Sequence, residues 1–221
     1  MKLKIFQRKY RALRRMDFFD FYNLAHVIFA KMKTKLVYGF LFGSVGKGAW
    51  IKKPEQIFGA SRLYIGPGVR IERGAILYAV RYYAGKDYAG MVEIGSNTFA
   101  NKDFNATSAF SIKIGNQVVF GPNVFLTDFD HGYEDIHMAR LDTDLVSKGP
   151  ISIGDRCWLG ANVFVGSGVS LGEYCVVAAN SVVTKSFPAF SVIAGSPAKM
   201  VKQYDPEQDA WVKVNNKIQM D

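Results

Sequence analysis

Between Ile153 and Val183 an aliphatic side chain returns at every sixth position: Ile153, Leu159, Val165, Leu171, Val177 and Val183. The residues that follow them are Gly154, Gly160, Gly166, Gly172, Ala178 and Thr184. The fifth position of each hexad holds Cys157, Val163, Val169, Cys175, Ser181 or Phe187. Earlier stretches carry the same pattern: Ile65-Gly66 with Val69, Ile71 and Leu77; Ile94-Gly95 with Thr98, Ala100 and Phe104; Ile114-Gly115 with Val118, Phe120-Gly121, Val124 and Leu126. Two breaks interrupt it. Residues 78–91 are rich in Tyr, and residues 127–150 are rich in Asp and hold His131 and His137.

A period of six predicts short strands whose side chains alternate in and out, joined by two-residue corners that need small or φ-permissive residues such as Gly and Asn. Three sides close a coil of about eighteen residues, and successive coils stack roughly 4.8 Å apart. Each coil buries its face only against its neighbours, as solenoids do. The expectation is an all-β solenoid, a parallel β-helix whose hand the pattern leaves open. Cys157 and Cys175 should stack inward on adjacent coils as reduced thiols.

Residues 1–45 predict helix, with apolar residues at mixed spacings of three and four, no Pro, and no Gly before Gly39. Leu3, Phe6, Tyr10 and Leu13 share one face, with Arg8, Arg11 and Arg15 largely elsewhere. Gly195-Ser196-Pro197 breaks the strand pattern, and a C-terminal helix is expected at about Pro206–Gln219. The divisions are a basic helical extension (1–56), a β-helix domain (57–202, with insertions 78–91 and 127–150) and the C-terminal helix (203–221).

Composition adds a polarity to this plan. Hydrophobic residues make up 49% of the chain, enough for a sizeable core. The net charge of +9 is concentrated at the N-terminus, where residues 1–53 hold 13 Lys/Arg against Asp17 and Asp20. That arm suits either a solvated helix capping the open β-helix or peripheral contact with the inner membrane face. No recognition motif accompanies it, which speaks against nucleic acid. The two Cys form no CxxC pair, Gln7–Arg15 interrupts any signal-like apolar run, and the apolar stretches are too short to span a bilayer. A cytoplasmic location is expected.

The runs Ile153-Gly-Asp-Arg-Cys-Trp-Leu-Gly-Ala-Asn-Val163, Ala178-Ala-Asn-Ser-Val-Val-Thr-Lys185 and Ala194-Gly-Ser-Pro-Ala-Lys199 resemble hexapeptide-repeat acetyltransferases. The likeness covers residues 57–202 and is to the maltose and galactoside acetyltransferase branch and to enzymes that O-acetylate bacterial surface polysaccharides. It implies a left-handed coil, a homotrimer, and acetyl-CoA as co-substrate without a metal. His131 sits where the family's general base sits, and a neutral imidazole suits deprotonation of a sugar hydroxyl attacking a thioester. Asp128, Asp130 or a backbone carbonyl would orient its ring. The pantetheine arm would meet Gly160, Ala161 and Ala179, with Thr184 and Lys185 nearby and Lys199 and Lys202 toward the phosphates. The alternative for the lysines is a solvated surface. Trp158 would wall the acceptor pocket beside the donor or pack between subunits, and Asn105 is an acceptor-binding candidate or an exposed corner residue. N-acetylation of a nucleotide-linked amino sugar or an antibiotic is the rival activity. A β-helix carbonic anhydrase would need three His around zinc, and the repeats hold only two.

Overall fold

The computed structural model describes residues 17–214. Short strands visit three parallel sheets in strict rotation. Sheet A stacks Ser44–Val45, Leu63–Ile65, Val92–Ile94, Ile112–Ile114, Ile151–Ile153 and Ser170–Leu171. Sheet B stacks Trp50–Ile51, Arg70–Ile71, Phe99–Ala100, Val119–Phe120, Trp158–Leu159, Val176–Val177 and Ser191–Gly195. Sheet C stacks Gln56–Phe58, Ile76–Ala79, Asn105–Ser108, Phe125–Thr127, Phe164–Val165 and Val182–Val183. The chain thus winds as a three-sided parallel coil. In the last coils the partners are 18 residues apart, Trp158 facing Val176 and Phe164 facing Val182. The aliphatic positions of the hexads point inward, and Ile65, Ile94, Ile114, Ile153 and Leu171 make one buried column through sheet A.

The corners divide their labour in a way that the repeat alone does not reveal. The left-handed backbone falls not on the Gly after the aliphatic residue but two residues further on, at Asn123 (φ 56°), Asn162 (φ 56°) and Asn180 (φ 60°). Those asparagines form an amide ladder, Asn123 Nδ2 donating to Asn162 Oδ1 at 3.0 Å and Asn162 Nδ2 to Asn180 Oδ1 at 2.9 Å. The Gly answers close approach instead. A Cβ on Gly160 would meet the Ala179 nitrogen at 2.7 Å, and one on Gly172 would meet the Ala189 nitrogen at 2.2 Å. At the corner between sheets A and B the left-handed residues are bulky: Gln117, Arg156, Tyr174 and Phe190. Their stacking offsets that conformational cost. Arg156 Nε donates to Gln117 Oε1 at 2.9 Å, its guanidinium lies over Tyr174, and Tyr174 stacks on Phe190 at 5.2 Å.

Coiling begins at Ser44, ahead of the boundary expected at residue 57. This first coil hides from the hexad pattern because Lys52 and Lys53 stand where later coils carry Gly121-Pro122 and Gly160-Ala161. Helix α1, Phe18–Lys33, opens on a capping box between Asp17 and Asp20, and runs through a π turn at Thr34–Tyr38 to Leu41. Ala30, Thr34, Tyr38 and Phe42 bury one stripe on the first coil, and Thr34 Oγ1 accepts from the Ile51 amide at 2.9 Å. This end of the helix caps the solenoid. The Leu3–Arg15 face lies outside the described residues.

The expected C-terminal helix is not formed over residues 206–214, and residues 215–219 lie outside the described residues. A hairpin of Ala198–Asp205 and Ala210–Lys213 extends sheet B antiparallel to Ser191–Gly195. The open edge of sheet B supplies unpaired backbone groups that a strand satisfies and a helix does not. Asp205 closes the turn by accepting from the Glu207 amide at 2.9 Å.

Candidate active site

Both insertions leave from the end of a sheet C strand, after Ile76–Ala79 and after Phe125–Thr127. The first folds as a hairpin of Tyr82–Tyr83 and Lys86–Asp87, the second as a hairpin of Asp130–His131 and Leu145–Val146 closed over a short helical turn at Arg140–Asp142. They meet over the intervening strand. Val80, Ala109 and Leu145 form a small apolar core with Tyr78, Tyr83, Tyr88 and Phe129 packed on it. Tyr88 Oη accepts from the Leu145 amide at 2.9 Å, and Lys86 pairs with Asp144. The two breaks in the repeat are therefore one structural unit.

His131 is exposed on this unit. Its Nδ1 lies 3.4 Å from Tyr83 Oη, and that hydroxyl donates to the Leu141 carbonyl at 2.7 Å. With its one proton committed to Leu141, Tyr83 can only accept from His131, a long bond that favours the Nδ1–H tautomer. Nε2 is then the unprotonated nitrogen, the form a base needs. The rings also pack edge-on, with centroids 5.4 Å apart. Tyr83 was not among the expected site residues. Its signal was the Tyr-rich composition of the first break.

Neither aspartate supplies the orienting bond; among the described residues no hydrogen bond joins Asp128 or Asp130 to His131. Asp128 is fully buried and accepts from Ser108 Oγ at 2.7 Å, the Ala109 amide at 2.8 Å and the Phe110 amide at 3.2 Å. It ties the strand ends of neighbouring coils together at the root of the loop. Burial pushes its carboxyl above the usual range, against the pull of those donors. Asp130 is exposed and pairs with Val146 through the backbone. His137 is exposed, and its amide donates to Asp135 at 2.8 Å. His26 packs edge-on against Tyr22 on α1. Among the described residues no group of three or more His, Cys, Asp or Glu could hold a metal ion.

Asn105 lies in an outward column of sheet C, between Ile76 and Phe125, continued by Phe164 and Val182. It is the polar member of that apolar run, and its Oδ1 is buried without a hydrogen-bond partner. Gly160, Ala161 and Ala179 stand at the corner between sheets B and C, beside the asparagine ladder. Among the described residues the Ala161 and Ala179 amides find no acceptor within the chain. Thr184 and Lys185 follow the last sheet C strand, exposed, with the Lys185 ammonium over Phe187 at 5.7 Å. Trp158 is 55% exposed on sheet B between Val119 and Val176, and Lys199 and Lys202 are exposed on the hairpin that extends that sheet. The expected residues therefore divide between two faces of the prism. Asn105, His131, Thr184 and Lys185 belong to sheet C or its far corner, while Trp158, Lys199 and Lys202 belong to sheet B. Cys157 and Cys175 are buried and unpaired by disulfide, with their thiols on the Gly172 and Pro188 carbonyls.

Residues 150–185 match the family model described as the hexapeptide repeat of succinyl-transferase. A Dictyostelium discoideum protein named as an acetyltransferase is 32% identical over 151 residues, which cover 67% of this chain and 70% of that one. The Escherichia coli (strain K12) protein WbbJ, named for O-acetyl transfer in lipopolysaccharide biosynthesis, is 35% identical over 56% of this chain and 66% of its own. The structure of galactoside acetyltransferase in complex with coenzyme A superposes with a TM-score of 0.55 at 25% identity, covering 85% of this chain and 78% of that one. The cyclic rotation through three parallel sheets, the hexad register and these likenesses agree, and the chain belongs to the hexapeptide-repeat acetyltransferase family.

Proposed function

We propose that this chain is an acetyl-CoA-dependent O-acetyltransferase acting on a sugar hydroxyl, with a bacterial surface polysaccharide or its precursor as the acceptor class. The observation that carries the reading is His131: exposed, on the packed two-insertion unit, with Nδ1 directed at a tyrosine oxygen that can only accept. Nε2 takes the proton of the acceptor hydroxyl as its oxygen attacks the thioester carbonyl. The tetrahedral oxyanion then collapses, the carbon–sulfur bond breaks, and the imidazolium returns the proton to the departing thiolate. No covalent enzyme intermediate is required. Asn105 Oδ1, an acceptor without a donor, suits a second hydroxyl of the sugar. The Ala161 and Ala179 amides suit the carbonyls of the pantetheine arm, and Lys199 and Lys202 suit its phosphates.

The coil is left-handed and the assembly a homotrimer in this reading. The division of the site supports it: Lys199 and Lys202 on sheet B and His131 beyond sheet C face different ways within one prism, and a neighbouring copy brings one set opposite the other. WbbJ and the galactoside enzyme support a glycan acceptor through the acceptors their names carry. The test is a screen of sugars and amino sugars with acetyl-CoA, following free thiol release and the mass and chemistry of the product. An alkali-labile acetyl ester is expected. A stable amide formed only on amino sugars would move the assignment to N-acetylation.

A further inference from the structure

Helix α1 does more than cap. Its buried stripe starts at Ala30, and the half before it, Phe18–His26, lies exposed along its whole length. Phe18 is 77% exposed, Phe19 70%, Phe29 65% and Phe40 85%, with Met32, Leu36 and Leu41 also open to solvent. Next to these aromatics a cavity of about 580 Å³ opens between the helix and the first coil, lined by Lys31, Lys35 and Lys47 and by small residues including Gly39, Gly46 and Gly48. No carboxylate lines it, and among the described residues none of the three lysines is in a salt bridge. Three lysines therefore line this open space, and their charge suits an oxyanion such as a phosphate.

We propose that this end of the molecule docks on an anionic phospholipid bilayer, the phenylalanines entering the interface and the lysine cavity taking a lipid phosphate. Charge selects this occupant over a second copy of the chain. Residues 1–53 carry 13 Lys/Arg against two Asp, so self-docking would set like charge against like, whereas an anionic leaflet complements it. Among the described residues no helix is long and apolar enough to cross a membrane. Lying in the interface is what a helix carrying both exposed aromatics and flanking lysines does.

The test uses the full-length protein with phosphatidylcholine vesicles, with and without phosphatidylglycerol. Co-sedimentation is expected only with phosphatidylglycerol and should weaken as salt rises. Lys31→Gln/Lys35→Gln/Lys47→Gln should lower that affinity about 100-fold, at ~1 kcal/mol per lysine near the surface. Phe18→Ser/Phe29→Ser/Phe40→Ser should abolish it while sparing Ala30, Thr34, Tyr38 and Phe42, so the thermal midpoint should hold. No binding at low salt, or binding that survives both sets of substitutions, would overturn the proposal. So would a phenylalanine variant that changes the mass in solution while vesicle binding stays intact, since that result would mark a contact between copies.

Discussion

At the scale of single residues, the aspartate beside the histidine turns out to serve the fold. Asp128 gathers one hydroxyl and two amides inside the molecule, so Asp128→Ala leaves buried donors without an acceptor and should cost about 2 kcal/mol of stability, measured by urea unfolding. Its raised folded pKa has a definite sign. The native protein holds this proton to a higher pH than the unfolded chain does, so stability falls as pH rises from the ordinary carboxylate value of 3.8 to the raised one, and is level above it. Asp128→Asn should remove that slope from a series of unfolding midpoints between acid and neutral pH. In the proposed mechanism Tyr83 takes the role expected of the aspartates. Tyr83→Phe keeps the ring packing and removes the oxygen facing His131. It should lower kcat by about tenfold through loss of imidazole positioning, with the KM for acetyl-CoA unchanged. An equal effect on both constants would mark a merely structural role.

At the scale of elements, the hexads from Ile153 to Val183 were legible because each inward side chain is apolar and each coil is regular. What the repeat does not disclose is why the glycines are there. Gly172 has an ordinary backbone, but the Ala189 nitrogen lies 2.2 Å from where a Cβ would sit. Gly172→Ala must push two coils apart, and should cost about 1–3 kcal/mol in thermal or urea unfolding. Thr184 occupies the same hexad position beside the last strand of sheet C, on which no further strand stacks. The first coil is not legible in the hexads because Lys52-Lys53 replaces the small corner residues of the later coils. The C-terminal hairpin reads as a helix in the sequence because Trp211 and Val212 sit among polar residues without a clear period, and the sheet edge that recruits the hairpin is contributed by Ser191–Gly195. The pairing of the two insertions was equally invisible, since Tyr83 and His131 are 48 residues apart and meet only because both loops leave the same sheet.

At the scale of the whole molecule, the three-sided coil puts Trp158, Lys199 and Lys202 on a different side from Asn105 and His131, and the proposed trimer resolves this by sharing each site between copies. Light scattering should then report a mass close to three times 24.6 kDa. A fully active monomer would undo the shared site. The capped coil and the root of the His131 insertion are separated by three coil spacings along the prism, roughly 14 Å. A bilayer at the cap therefore leaves His131 within reach of an acceptor held near the surface. The central claim remains direct transfer with His131 as the base, and the measurement that bears on it most directly is the steady-state kcat of His131→Ala beside its affinity for coenzyme A and its thermal midpoint. The account predicts a kcat lower by about 10²–10⁴ with affinity and midpoint unchanged; turnover near that of the unaltered protein would contradict it.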